Sequence, residues 1–161
     1  MLRIFLIPFF FVSILNEKYL PAAILFIIGW ISDILDGYYA RRLNIVSEFG
    51  KIADPLADKL MQFAGLLSLT INGVIEPLII IIIGAKEFLM GVGTIFLFKH
   101  KHKVNSANWY GKVTTALIYL SVVLLLFDIK IGIYILYLSV ITTIFSFIMY
   151  ALLAKKAISN T

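Results

Sequence analysis

The sequence predicts an all-α, polytopic integral membrane protein with about six transmembrane helices. Three observations carry that expectation. Hydrophobic residues make up 61% of the 161 positions, against ~45–50% in a soluble domain, and the mean hydropathy is +1.01. The apolar residues gather into about six runs of near-spanning length, separated by polar or glycine-containing breaks. The basic residues flank those runs instead of interrupting them. A spanning helix takes about 20 apolar residues, so a chain of this length holds at most six or seven short-looped spans. Residues 1–161 are therefore expected to form one membrane domain with no separate soluble part. The net charge of +5 reports membrane orientation, not nucleic-acid binding, because of where the cations lie. Cysteine is absent, which excludes disulfides and thiolate metal ligands. His100 and His102 are neighbours in a basic loop and do not suit a histidine zinc site.

Each element follows from a hydrophobic run and its breaker. The first covers about Leu2–Leu15 and stops at Asn16-Glu17-Lys18. The second runs from Pro21, a residue suited to a first helical turn, to about Leu43. The third spans about Ser47–Thr70, and Asn72-Gly73 turns the chain. Pro77 opens the fourth, which continues to about Phe98. A basic loop, Lys99–Ser106, precedes the fifth, about Asn108–Phe127, and the sixth covers about Ile133–Leu153 before a Lys155-Lys156 tail.

Six spans put the Arg41-Arg42 loop, the Lys99/Lys101/Lys103 loop and both termini on one side. The opposite loops hold only Lys18 and Lys130, each near an acidic neighbour, Glu17 or Asp128. Cytoplasmic loops carry the excess of Lys and Arg, so both termini are expected in the cytoplasm of a multi-pass cell-membrane protein.

Four aspartates interrupt this apolar background, in the pattern Asp33-x2-Asp36-Gly37-x2-Ala40-Arg41-x8-Gly50-x3-Asp54-x3-Asp58. An Asp at the centre of a spanning helix costs about 2.5–3.5 kcal/mol, so four left bare would cost on the order of 10 kcal/mol. Asp33, Asp36, Gly37, Ala40 and Arg41 fall on one helical face, and Gly50, Asp54 and Asp58 on one face of the next helix. A short connection makes the two helices antiparallel neighbours whose faces meet. The carboxylate oxygens suit hard cations, Mg²⁺ or Mn²⁺, and two such ions can serve a displacement at phosphorus. Gly37, Ala40 and Gly50 let a bulky ligand approach the backbone, and Arg41 supplies a forked donor for phosphate.

This pattern resembles, at every defining position, the signature of the CDP-alcohol phosphatidyltransferase family. Phe49-Gly50-Lys51-x2-Asp54-Pro55-Leu56-Ala57-Asp58-Lys59-Leu60 looks like the version in phosphatidylglycerophosphate synthases, and eukaryote-type cardiolipin synthases have a similar one. Lys86-Glu87-Phe88 and Asn108-x2-Gly111-Lys112-Val113-x-Thr115 extend the likeness over nearly the whole chain. The resemblance implies transfer of a phosphatidyl group from CDP-diacylglycerol to glycerol-3-phosphate, releasing CMP, at a cytoplasm-facing site in a homodimer. It implies Asp33, Asp36, Asp54 and Asp58 as ligands of two Mg²⁺ or Mn²⁺ ions, with Asp58 also the general base. Gly37, Ala40, Arg41 and Gly50 would hold the CDP group, and Arg3, Lys86 and Lys112 would meet the acceptor phosphate. Two positions depart from the family pattern: Met1-Leu2 stand where an Asn and a Thr usually precede Arg3, and Val92-Gly93 replace a Leu-Arg.

Other readings compete. Phosphatidylglycerol as acceptor would make the chain a cardiolipin synthase. A divalent-cation transporter would line a path with the aspartates, but the expected fifth and sixth helices offer only scattered hydroxyls such as Ser121, Thr142 and Ser146. A non-catalytic CDP-lipid-binding protein is a further alternative. The blander readings are an internal ion pair for Lys86 and Glu87, interfacial snorkelling for Arg41 and Arg42, and head-group contact for Lys112 and the basic loop.

Overall fold

The computed structural model describes the backbone of residues 2–42, 48–99 and 109–159, and the side chains of residues 3–32, 56–93 and 109–152. The described residues form six helices: α1 (Leu2–Leu15), α2 (Tyr19–Arg42), α3 (Glu48–Ile71), α4 (Pro77–Lys99), α5 (Trp109–Leu126) and α6 (Ile131–Ser159). Two of them, over Trp109–Leu126 and Ile131–Leu152, are long and apolar enough to cross a membrane among the described residues. Shorter apolar stretches cover Arg3–Leu15 and Tyr19–Ser32.

Most boundaries fall within two residues of the sequence reading, and the start of α2 and the end of α6 differ for local reasons. Helix α2 starts at Tyr19, ahead of Pro21, with Ala22 N donating to the Lys18 carbonyl at 3.2 Å. Pro21 thus lies in the first turn but not at its first position. The first N–H groups of a helix have no partner inside it, so a missing donor costs nothing there. Helix α6 runs through Lys155-Lys156 to Ser159, since Ala and Lys are strong helix formers that do not end a helix unaided.

The turns after α1, α3 and α5 share one construction. Glu17, Gly73 and Asp128 adopt φ values of 58°, 72° and 56°. The following residue donates back across the helix end: Lys18 to Ser13 at 2.9 Å, Val74 to Leu69 at 2.9 Å and Ile129 to Leu124 at 2.9 Å. This is the Schellman closure, in which a left-handed residue lets the chain reverse while capping orphan carbonyls. All three lie at one rim. Asn72 Nδ2 donates to the Ile14 carbonyl at 2.6 Å, Tyr137 Oη donates to Glu76 at 3.4 Å, and residues 17–21 and 126–128 line one shallow depression.

Helix α1 packs against both α2 and α3, α5 packs along α6, and α4 leans on α6. Phe10, Ile14, Phe26, Met61, Leu66 and Val122 meet in the buried centre of the first, second, third and fifth helices. Helices α2 and α3 come together at Gly29. A Cβ there would lie 3.3 Å from Met61 Cε and 3.3 Å from Arg3 Cγ, so the missing side chain admits both neighbours. The arms from Gly29 to Arg42 and from Glu48 to Met61 are equal in length. Asp33 and Asp36 lie on the first arm, and Asp54 and Asp58 on the second.

Candidate functional site

Asp58 is where the described side chains converge. It sits in the first half of α3 with its side chain 30% exposed, and it lines a cavity of about 920 Å³. Arg3, on α1, is buried to 4% exposure, and its Nη1 donates to Asp58 Oδ1 at 2.8 Å. The Tyr119 hydroxyl, on α5, donates to the same Oδ1 and lies 3.0 Å from the Asp58 carbonyl oxygen. A partly buried carboxylate is tolerable when it is paired and hydrogen-bonded, and two neighbouring helices supply that compensation here.

Aromatic packing sets the Tyr119 ring. Phe26 of α2 lies 5.1 Å from it between centroids, and Phe10 of α1 lies 5.2 Å from Phe26, spacings at which aromatic pairs attract. The small residue Gly65 accommodates this row, since a Cβ there would come within 3.4 Å of Phe10.

The cavity has a charged part and an apolar part. Lys59, Lys86, Glu87 and Lys112 join Asp58 in lining it. Glu87 Oε1 accepts from Lys86 Nζ at 2.7 Å and from Lys59 Nζ at 2.9 Å, so one carboxylate oxygen holds two ammonium groups from adjacent helices. Phe26, Ile27, Trp30 and Ile31 of α2 and Leu120 and Val123 of α5 form the apolar walls.

Of the residues singled out in the sequence, Asp58, Lys86 and Lys112 line this one cavity. Gly111 and Thr115 of the fifth-helix motif line it too. Arg3 stands behind Asp58 and is not among the described lining residues. Asp33, Asp36, Gly37, Ala40 and Arg41 lie on α2, and Gly50 and Asp54 on α3; their side chains are outside the described residues. The ion pair that was the blander reading of Lys86 and Glu87 is present and extends to Lys59.

Two contributors escaped sequence reasoning. Lys59 stood next to Asp58 in the quoted motif, and that adjacency was the available signal. Tyr119 stands alone in an apolar helix with nothing in its neighbourhood to mark it.

The donor set fits hard divalent cations. Asp33, Asp36, Asp54 and Asp58 offer carboxylate oxygens alone, with no nitrogen or sulfur ligand among these four positions.

A family model described as CDP-alcohol phosphatidyltransferase matches residues 1–145. The chain is 38% identical over 121 residues to a CDP-diacylglycerol–glycerol-3-phosphate 3-phosphatidyltransferase of Aquifex aeolicus, covering 74% of this chain and 67% of that protein. The enzyme of the same description from Bacillus subtilis is 42% identical over 97 residues, 60% of this chain and 50% of its own length. That of Mycoplasma genitalium is 38% identical over 101 residues, 63% and 42% of the two lengths. The matched stretch spans between 42% and 67% of the length of these three relatives. With the match extending over nearly the whole sequence, the chain belongs to the CDP-alcohol phosphatidyltransferase family.

Proposed function

We propose that the chain is a membrane transferase that moves a phosphatidyl group from CDP-diacylglycerol to glycerol-3-phosphate, giving phosphatidylglycerophosphate and CMP. The observation that carries this reading is the meeting of Asp58 with Lys59, Lys86 and Lys112 around one cavity. Three lysines face a single glutamate there, while Asp58 is matched by Arg3. That surplus suits a phosphomonoester, which carries about −1.5 to −2 charge near neutral pH. The apolar walls on α2 and α5 suit the acyl chains of the donor. The relatives' printed name specifies the same donor and acceptor.

In this reading the acceptor hydroxyl oxygen attacks the lipid-bearing phosphorus, and the bond from that phosphorus to the CMP oxygen breaks. Asp58 takes the hydroxyl proton, and Lys86 and Lys112 hold the acceptor phosphate. Arg3, offered to that phosphate by the sequence, acts instead on Asp58, given their 2.8 Å contact. Asp33, Asp36, Asp54 and Asp58 would hold two Mg²⁺ or Mn²⁺ ions, which when bound offset the charge on the reacting phosphates. Gly37, Ala40, Arg41 and Gly50 would cradle the CDP group. The topology that completes the reading has six spans, cytoplasmic termini and a cytoplasm-facing site, in one membrane domain over residues 1–161 that pairs as a homodimer. The basic flanks of the spans support that orientation.

The test is CMP release by purified protein in detergent with CDP-diacylglycerol and Mg²⁺, each acceptor supplied separately. Release is expected with glycerol-3-phosphate and is expected to fall by at least about a thousandfold in Asp58→Asn. Release only with phosphatidylglycerol would move the acceptor to a lipid. No release with any acceptor would overturn the reading.

A further inference from the structure

We infer that Tyr119 is a positioning residue for Asp58, holding one carboxylate oxygen so that the other keeps a fixed direction toward the reacting groups. The inference rests on the reading of Asp58 as the base. Both side chains that contact the Asp58 carboxylate among the described residues do so at Oδ1: Arg3 Nη1 at 2.8 Å and the Tyr119 hydroxyl. Oδ2 has no such contact among the described residues. A carboxylate with one oxygen fixed by two donors has lost its freedom to rotate about χ2, so the second oxygen keeps a constant direction.

Tyr119 suits this task better than an exposed donor would. Its ring is seated against Phe26, which is itself seated against Phe10, so the phenol oxygen is placed by packing from α1 and α2. Its hydroxyl also lies 3.0 Å from the Asp58 backbone carbonyl, which ties it to the α3 backbone as well as to the side chain. A donor pre-placed by packing gives up little rotamer freedom when the carboxylate acts. During the reaction the acceptor proton passes to Oδ2 as the new phosphorus–oxygen bond forms, and Tyr119 keeps its own proton throughout.

Tyr119→Phe removes the hydroxyl and leaves the ring stacked on Phe26. The expected result is a fall in kcat of roughly ten- to hundredfold, the range for losing a hydrogen bond to a charged group. The KM values for CDP-diacylglycerol and glycerol-3-phosphate should stay within about twofold, and the melting temperature should be unchanged. A raised acceptor KM with kcat intact would instead make Tyr119 a substrate contact. A lowered melting temperature with kcat intact would make it a helix anchor, and either result overturns the inference.

A second measurement needs no turnover. With 3-fluorotyrosine placed at position 119, the ¹⁹F resonance should move between the otherwise wild-type protein and Asp58→Asn. An unmoved resonance would show that the contact is absent and would sink the inference. A moved resonance in a protein that releases no CMP would leave the contact standing while the proposed function falls.

Discussion

Polar groups buried in an apolar interior are handled in two ways in this molecule. Along the α5–α6 hairpin, three of the buried hydroxyls turn back onto their own helix. Ser121 Oγ donates to the Ile118 carbonyl at 2.7 Å, Ser139 Oγ to Leu136 at 2.7 Å, and Thr114 Oγ1 to Tyr110 at 3.0 Å. Around Asp58 the partners come from other helices, 55 residues away at Arg3 and 61 residues away at Tyr119. The first arrangement asks nothing of its neighbours, and small hydroxyls simply permit two helices to pack closely. The second exists only when α1, α3 and α5 are docked in register. Polar residues in the hairpin thus serve packing, whereas those around Asp58 hold a charge in a defined place.

Three substitutions sharpen that contrast, beginning with the largest effect. Lys86→Met takes one of the two ammonium groups off Glu87. It is expected to raise the KM for glycerol-3-phosphate by roughly tenfold or more while leaving that for the donor within about twofold. Steady-state kinetics with each substrate varied in turn would show it. Equal changes in both KM values would mean that the lysine supports the helices and not the acceptor.

Gln62→Met is next. Gln62 sits one turn below Asp58 at 1% exposure, and neither atom of its amide has a hydrogen-bond partner among the described residues. An unpaired buried amide costs about 1–3 kcal/mol, so the apolar replacement should raise stability by about 1 kcal/mol. Thermal melting in detergent reads this directly, and a lower melting temperature would reveal that the amide is engaged.

Ser139→Ala should do least. Its bond is confined to its own helix, so the change is expected to stay within about 0.5 kcal/mol and leave CMP release unaltered. A large loss would erase the distinction between the two regions.

The same contrast explains what could be read in advance. The stops at Glu17 and Gly73 and the starts at Leu2 and Pro77 were legible because breakers act on the residues beside them. Asp58, Lys86 and Lys112 were legible because a charge in an apolar run is conspicuous wherever it falls, and the structure brings all three to one cavity. The early start of α2 was missed because proline fits several places in a first turn. The length of α6 was missed because Lys155-Lys156 was taken for a tail, although lysine extends a helix readily. Tyr119 is one of eight tyrosines, and only the docking of α5 against α3 separates it from the others. Periodicity reports which face of a helix is apolar, not which residue across the bundle that face will meet.

The three left-handed closures at Glu17, Gly73 and Asp128 divide the chain into three hairpins, α1–α2, α3–α4 and α5–α6. In the six-span topology, each hairpin is a unit that a ribosome can hand to the bilayer whole, with its tight turn leading and its basic ends trailing. The cavity draws on all three: Phe26 from the first, Asp58 and Lys86 from the second, Lys112 and Tyr119 from the third. The Arg3–Asp58 pair draws on the first two hairpins, and the phenol that joins it comes only from the third.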